Sequence, residues 1–348
     1  MLNLKSTFIL LMAANSFLAS GQIVIPNNKG FSGFVQISAG YFGFRTNQVS
    51  GFLKSDLSNP VTNSFTEKPT HQSTTTSVFP FEVSYTFKSG KTQLLAGSAL
   101  EDLLRMDLTQ QIAFRQSLGR TGILQAGFLL SSIPVRLWKD PYITNIPREE
   151  TTRQSFGGRI GIFKILESPF GFQYALRKIT IDETSGEYLG LPNTEQALLN
   201  RNGVWHHLTL YYHKNINQKN IISPTLNLVH DDTKGSAVRR SSFLLQMSYA
   251  FVNQKVRLIT NAGAGYLVMA DVNPIFNEQQ KNLNYLLREI AYYRISKPDK
   301  VPLFITASVT YGTSESNINF FSDRSFLFAG GLFMTFGGRI PHTRNPEE

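Results

Sequence analysis

The sequence predicts an all-β fold: a transmembrane, antiparallel, up-and-down β-barrel of about 14 strands, with 12 or 16 as the neighbouring solutions. Three observations predict it. Segments of period-two hydrophobicity recur over residues 33 to 337, the connections between them alternate short with long, and an export signal precedes them all. Phe79, Phe81, Val83, Tyr85 and Phe87 share one face of a strand, and Glu82, Ser84, Thr86 and Lys88 share the other. Phe326, Phe328, Leu332, Met334 and Phe336 repeat the pattern near the C-terminus. Hydrocarbon tolerates such faces only where every backbone N–H and C=O is paired internally, and a sheet closed on itself meets that condition.

Residues 1 to 21 read as a signal peptide. Lys5 supplies the positive region, Phe8 to Leu18 the apolar core, and Ala19-Ser20-Gly21 the small residues before a cut at Gln22. That run is too short to span a bilayer as a helix, and no later run is long enough. Residues 22 to 32 form a periplasmic N-terminal segment, and residues 33 to 337 the barrel. Residues 338 to 348 form a basic-then-acidic tail after the terminal aromatic Phe336.

The strands follow in order. The first, about Gly33 to Arg45, turns Val35, Ile37, Ala39 and Tyr41 outward and Gln36, Ser38 and Gly40 inward. The second, about Val78 to Phe87, meets the third across Lys88-Ser89-Gly90-Lys91, where glycine accepts positive φ. Strands four and five flank Gly119-Arg120-Thr121, with Thr109, Gln111, Ala113, Arg115 and Ser117 on one face of strand four. Short turns then fall at Glu167-Ser168-Pro169, Asn215 to Gln218, Val252-Asn253-Gln254 and Ser296 to Val301. The intervening connections, about residues 46 to 77, 133 to 151, 185 to 202, 271 to 282 and 313 to 324, are expected to be long outer loops. The first of these, rich in Ser, Thr and Asn, reads as a recognition loop or an inward constriction. Leu283, Leu286, Leu287 and Ile290 recur at helical spacing, but parity favours a strand over Gln279 to Tyr293. Ala99 to Met106 is helix-like and short enough for a loop turn.

The hydrophobic fraction is 41% and the aromatic fraction 12%, with 27 Phe and 13 Tyr. A mean hydropathy of −0.14 would suit a soluble protein, but a barrel averages its lipid and lumen faces along each strand. There is no cysteine, which excludes disulfides, thiolate metal sites and a lipoprotein anchor. The formal charge is +10 and much of the excess falls on turn residues such as Lys88, Lys91, Lys214, Lys219 and Lys255. An exported chain rarely meets nucleic acid, so none is expected as a partner. The expected partners are outer-membrane lipid and lipopolysaccharide, the barrel assembly machinery of a Gram-negative bacterium, and small solutes.

The candidate site is the lumen. Arg115, Arg153, Arg159, Arg177, Arg257, Arg288 and Arg294 fall on polar faces, against fewer inward acids such as Glu82, Asp107 and Asp182. Guanidinium stays charged and grips carboxylate or phosphate in a fork, so such a ring would favour anions; the same arginines could instead brace the wall through acid pairs. His206, His207 and His213 lack the cysteine or spaced carboxylate of a metal site, and His230-Asp231-Asp232 reads as a strand end paired to Arg239 and Arg240. No Gly-x-Ser-x-Gly elbow or other nucleophile constellation is present. No catalytic residue, metal or cofactor is therefore assigned.

Several short stretches carry a family resemblance: Gly30-Phe31-Ser32-Gly33-Phe34, Asp140-Pro141-Tyr142, Arg148 to Arg153 with Gly158-Arg159, and Arg177. Ile181-Asp182-Glu183, Ser185-Gly186, Arg201-Asn202-Gly203, Asp231-Asp232 and Gly235 extend the set over nearly the whole mature chain. In these the sequence resembles a bacterial family known as domain of unknown function 2860. The resemblance implies an exported barrel and carries no activity. The expected function is a passive, porin-like outer-membrane channel for small hydrophilic, preferentially anionic solutes. The alternatives are a surface recognition or structural barrel with a loop-plugged lumen and an outer-membrane lipid hydrolase.

Overall fold

The computed structural model describes residues 25–26, 29–52, 55–102, 107–131 and 135–337. The stretch expected as a signal and the C-terminal tail lie outside these. Fourteen strands make one antiparallel barrel. In order they are β1 (Gly30–Arg45), β2 (His71–Val78, resuming as Phe81–Thr86), β3 (Thr92–Asp102), β4 (Asp107–Ser117) and β5 (Ile123–Ser131, resuming as Val135–Trp138). Then come β6 (Glu150–Phe163), β7 (Phe170–Ile181), β8 (Gly203–Tyr212), β9 (Asn220–Thr233) and β10 (Arg240–Val252). The last are β11 (Val256–Asn273), β12 (Glu278–Arg294), β13 (Leu303–Ser316) and β14 (Asp323–Phe336). β14 pairs back to β1 from Gly33↔Phe336 to Arg45↔Arg324, which removes every edge. No described helix is long and apolar enough to cross a membrane.

The alternation places side chains as the pleat requires. Ile37, Tyr41, Ile112, Phe128, Phe156, Leu245, Leu287 and Phe328 stand exposed in an outward apolar belt, while Gln36, Ser84, Thr86, Gln93, Thr109 and Gln125 are buried inside. The protein is inside-out relative to a soluble one, and its buried polar groups bond to each other. Ser84 Oγ, for example, donates to the Ser32 carbonyl and accepts from Gln93 Nε2 at 3.1 Å. Pro80 interrupts β2 because it has no N–H to give, yet its carbonyl still accepts from Gln36 N at 2.9 Å. Pairing to β1 resumes in the same register on both sides, Val35↔Phe81 and Ser38↔Val78.

Three outer connections differ from expectation. β11 and β12 continue into the stretch expected as a loop and are joined by residues 274 to 277 alone, with a register shift between Val268 and Val272. β13 and β14 likewise leave only residues 317 to 322 between them. β3 runs on to Asp102 through the stretch with helical character, whose remainder, residues 103 to 106, lies outside the described residues. β12 is a strand: Leu286 and Ile290 turn inward while Leu283 and Leu287 turn to lipid. Apolar residues on both faces produce the helical spacing.

The first long connection folds inward as a small hairpin, Val49–Phe52 with Ser55–Asp56. It pairs with the upper end of β5 through Val49↔Leu137 and Phe52↔Val135. Its Val49 and Leu57 join Phe42, Phe44, Leu137, Ile179, Ile181 and Trp205 in an apolar cluster inside the loop end of the barrel. The inward-constriction reading of this loop is the one observed.

Candidate functional site

Protein packs into both ends of the lumen. Above the hairpin cluster, Tyr142, Leu199, Ala237, Ile318, Phe320 and Phe321 gather from four connections into an apolar cap. At the turn end, taken as periplasmic by the usual rule for such barrels, Phe34, Ile259, Ile290, Tyr292, Phe304 and Phe333 form a floor. Beside it Ile25 of the N-terminal segment packs into the mouth against Ile123 and Phe163. Loops and terminus thus occupy part of the lumen that strand number alone would leave to water.

The cap is held by buried charge rather than by regular structure. Asp140 Oδ1 accepts from the Tyr142 N–H at 2.9 Å and Oδ2 from the Gly186 N–H at 3.0 Å. Gly186 has φ +83°, a conformation that costs a Cβ-bearing residue energy. Burial pushes the Asp140 carboxyl up despite these bonds. Arg201 donates Nε to Glu183 Oε2 at 2.6 Å and Nη2 to the carbonyls of Trp138 and Lys139 at 2.9 and 3.0 Å. Arg148 lies 4.3 Å over the Trp138 ring and donates to the carbonyls of Asn47, Asn59, Pro60 and Pro141. Burial lowers its pKa to about 10. Desolvation likewise raises the Tyr142 phenol to about 12. Three loops are thus welded to one another.

Between cap and floor lies a cavity of about 460 Å³. Of the seven arginines expected in the lumen, Arg153, Arg159 and Arg288 line it. Arg159 Nη1 donates to Gln111 Oε1 at 3.0 Å. Arg288 is 7% exposed, and its Nε donates to no described residue. Arg115 braces the wall, bonded to Gln125 at 2.8 Å and Gln93 at 3.1 Å with Glu82 at 3.6 Å. Arg177 is fully buried behind the cavity, its guanidinium 4.0 Å over the Trp205 ring. Arg257 sits 4.7 Å over Phe304 in the floor. Arg294 lies away from the lumen: it donates to Ser296 Oγ and to the carbonyls of Lys297, Pro298 and Lys300, capping the β12–β13 turn.

The acids are placed differently from expectation. Glu82 is inward beside Arg115, but Asp182 stands exposed at the loop rim, 3.8 Å from Lys139, because the chain leaves β7 at Ile181. The Asp107 side chain lies outside the described set. Among described residues the acids lining the cavity are Asp231, held by Arg240 at 2.6 Å, and Asp323. Asp232 is 3.1 Å from Arg239, so the carboxylates after His230 are ion-paired. His207 and His213 turn inward, bonded to Asn227 at 3.0 Å and Ser223 at 2.8 Å, while His206 faces out against Tyr174. No group of metal-binding side chains occurs among the described residues. Trp205 and Gln246 were not singled out by sequence reasoning, and Arg201 stood out only within a family landmark. Inward parity from His207 would have found Trp205, but Arg201 reaches the site from a loop and carries no periodic signal.

A closed barrel with this strand order allows comparison with known proteins. The family model described as "Protein of unknown function (DUF2860)" matches residues 30–334. The chain belongs to this family. No curated protein matches it. Among solved structures it is similar to a FadL homologue of Pseudomonas aeruginosa, at TM-score 0.50 and 10% identity over 96% of this chain and 100% of that one. It is also similar to the outer-membrane channel DcaP of Acinetobacter baumannii, at TM-score 0.41 and 9% identity over 90% and 100% of the two chains. The first likeness shows the fold alone: the DUF2860 protein is a closed antiparallel β-barrel. The stretches that carried the resemblance have a common use in this DUF2860 chain. Asp140, Tyr142, Arg148, Glu183, Gly186 and Arg201 build the cap. At Gly235 a Cβ would stand 2.3 Å from the Leu198 carbonyl oxygen, so the loop before β10 can pass there only without a side chain.

Proposed function

We propose that this protein is a gated outer-membrane channel, rather than an enzyme, for small solutes that carry an anionic group. One observation supports the reading above the others. The lumen holds a cavity of about 460 Å³ whose turn-side half presents Arg159 and Arg288 and no described acid. A cavity of this size suits a small solute, and cations in a low-dielectric wall attract anions more strongly than they would in water. The caps at both ends make it a gated path rather than an open pore. The test is a planar-bilayer recording in a salt gradient. Discrete openings with an anion-sign reversal potential, shifted toward cations by Arg159→Glu with Arg288→Glu, are expected. Openings without ion preference would remove the arginines from the mechanism, and silence under all voltages would favour a closed recognition barrel.

A further inference from the structure

Among the described residues, Arg153, Arg159, Arg201, Arg240 and Arg288 line the cavity, and all but one are answered by protein. Arg159 donates to Gln111, Arg201 to Glu183 and Arg240 to Asp231, and Arg153 has a partner as well. Arg288 makes no hydrogen bond or ion pair to any described residue, although it is only 7% exposed. Its cross-strand neighbours, Asn261 and Thr310, are neutral, and Asn261 Oδ1 already accepts from Ser248 Oγ at 2.5 Å. A buried guanidinium costs free energy until an acceptor reaches it, and an anion offsets that cost best. One unanswered cation calls for one negative charge.

The wall around Arg288 is neutral and rich in hydrogen-bonding groups. Counted from the turn ends of their strands, Gln173, Thr209, Thr225, Gln246 and Asn261 line the same turn-side half of the cavity. The Gln173 amide, in a residue 8% exposed, and the Thr225 hydroxyl have no described partner. Neither has Asn284 Oδ1, four residues before Arg288 on the same inward face of β12. A bare carboxylate or halide only accepts hydrogen bonds, so it leaves the amide oxygens of Gln173 and Asn284 unmatched. A hydroxyl both donates and accepts, and suits an amide on both counts. An ammonium would also suit those oxygens, but it would enter a wall of five arginines and two acids, Asp231 and Asp323, neither of them free.

We propose that the turn-side half of the lumen binds a polyhydroxylated monoanion of the sugar-acid class, with its carboxylate on Arg288 and its hydroxyls on Gln173, Thr225 and Asn284. An aliphatic acid would leave the amides unmatched, and a neutral polyol would leave Arg288 without its anion. This specificity rests on the channel reading above, of which it is the substrate class.

The test is calorimetric titration of the full-length barrel in lipid nanodiscs with four six-carbon probes. Gluconate carries both features, sorbitol the hydroxyls alone, hexanoate the carboxylate alone, and 6-aminohexanoate a carboxylate with an ammonium. Gluconate is expected to bind at least about tenfold more tightly than each of the others, as lost bonds to a charged group or to several neutral ones imply. Arg288→Gln should bring gluconate down to the level of sorbitol and leave sorbitol unchanged. Gln173→Leu should weaken gluconate and sorbitol alike and leave hexanoate unchanged. If either variant fails to assemble, the order of the four probes on the wild-type chain decides alone. Hexanoate, sorbitol or 6-aminohexanoate binding as tightly as gluconate, no binding of gluconate, or indifference of gluconate to Arg288→Gln would each overturn the proposal. The salt-gradient recording separates this inference from the reading beneath it. Anion-selective openings without gluconate binding would sink the sugar-acid site and leave the channel, whereas gluconate binding to a barrel that never opens would keep the site and remove the channel.

Discussion

Replacing Arg201 by Met should unfasten the cap while leaving the barrel intact. The Arg201 and Glu183 side chains are 14% and 6% exposed, and their 2.6 Å contact joins the two ends of the β7–β8 loop. The same guanidinium ties both to the loop after β5 through two carbonyls. Removing one partner of a buried pair costs about 3–5 kcal/mol, because the other charge is stranded. Here the low end applies. Glu183 Oε1 keeps the Arg201 N–H at 2.6 Å and Asn202 Nδ2 at 3.1 Å, and water reaches the rim. A loss of about 3 kcal/mol raises the cap's opening equilibrium roughly 150-fold. Hydrogen exchange should show that increase at the amides of Tyr142, Gly186 and Arg201, with none at β11 or β12, whose ladders do not involve the loop. Arg201→Lys should fall between, since lysine restores charge without the fork. Unchanged exchange in the cap, or equal acceleration through the strands, would refute the idea that this ion pair welds the loops.

Three further outcomes follow from the same geometry. Ala262 faces lipid and Ser242 faces the cavity, so Ala262→Arg should cost about 2–4 kcal/mol in urea unfolding from bilayers and Ser242→Arg far less; equal costs would mean the faces are misassigned. Ile25→Asp should drive the N-terminal segment out of the mouth it shares with Ile123 and Phe163, and raise resting conductance without loss of barrel stability; an unchanged resting current would show that the segment is no plug. Because burial raises the Asp140 carboxyl in the folded cap above its unfolded value, its contribution is full below the unfolded value and is lost as pH rises through the folded one. Protease resistance of the loops should therefore decline over that window in the wild-type chain and stay level in Asp140→Asn; parallel curves would assign the pH dependence elsewhere.

What the sequence made legible was whatever repeats with the pleat. Val83 outward and Ser84 inward, or Arg159 inward and Ile160 outward, follow from a two-residue period that the bilayer enforces on each strand. Strand ends were less legible because the period persists where the membrane stops, so β11 and β12 outrun the expected loop at 271 to 282. The cap was not legible as a structure. Asp140, Glu183 and Arg201 are far apart in the chain and meet only through loop geometry, although their short stretches already stood out as family landmarks. Among the arginines, parity alone cannot separate Arg288, which lines the cavity, from Arg294, six residues nearer the C-terminus on the same face, which the turn carbonyls of Lys297, Pro298 and Lys300 draw away.

The absence of cysteine allows the central claim, an anion-favouring path through the lumen, to be tested at a single atom. Ser242→Cys places one thiol in the cavity, and Ser89→Cys places one in the exposed β2–β3 turn as a reference. The rates of modification by an anionic and a cationic methanethiosulfonate of similar size are then compared in bilayers. The account predicts that the anionic reagent is favoured at Ser242→Cys relative to Ser89→Cys, that the preference shrinks as salt shortens the screening length, and that Arg159→Gln with Arg288→Gln abolishes it. A cationic preference at Ser242→Cys, or a ratio the same at both positions, would contradict it.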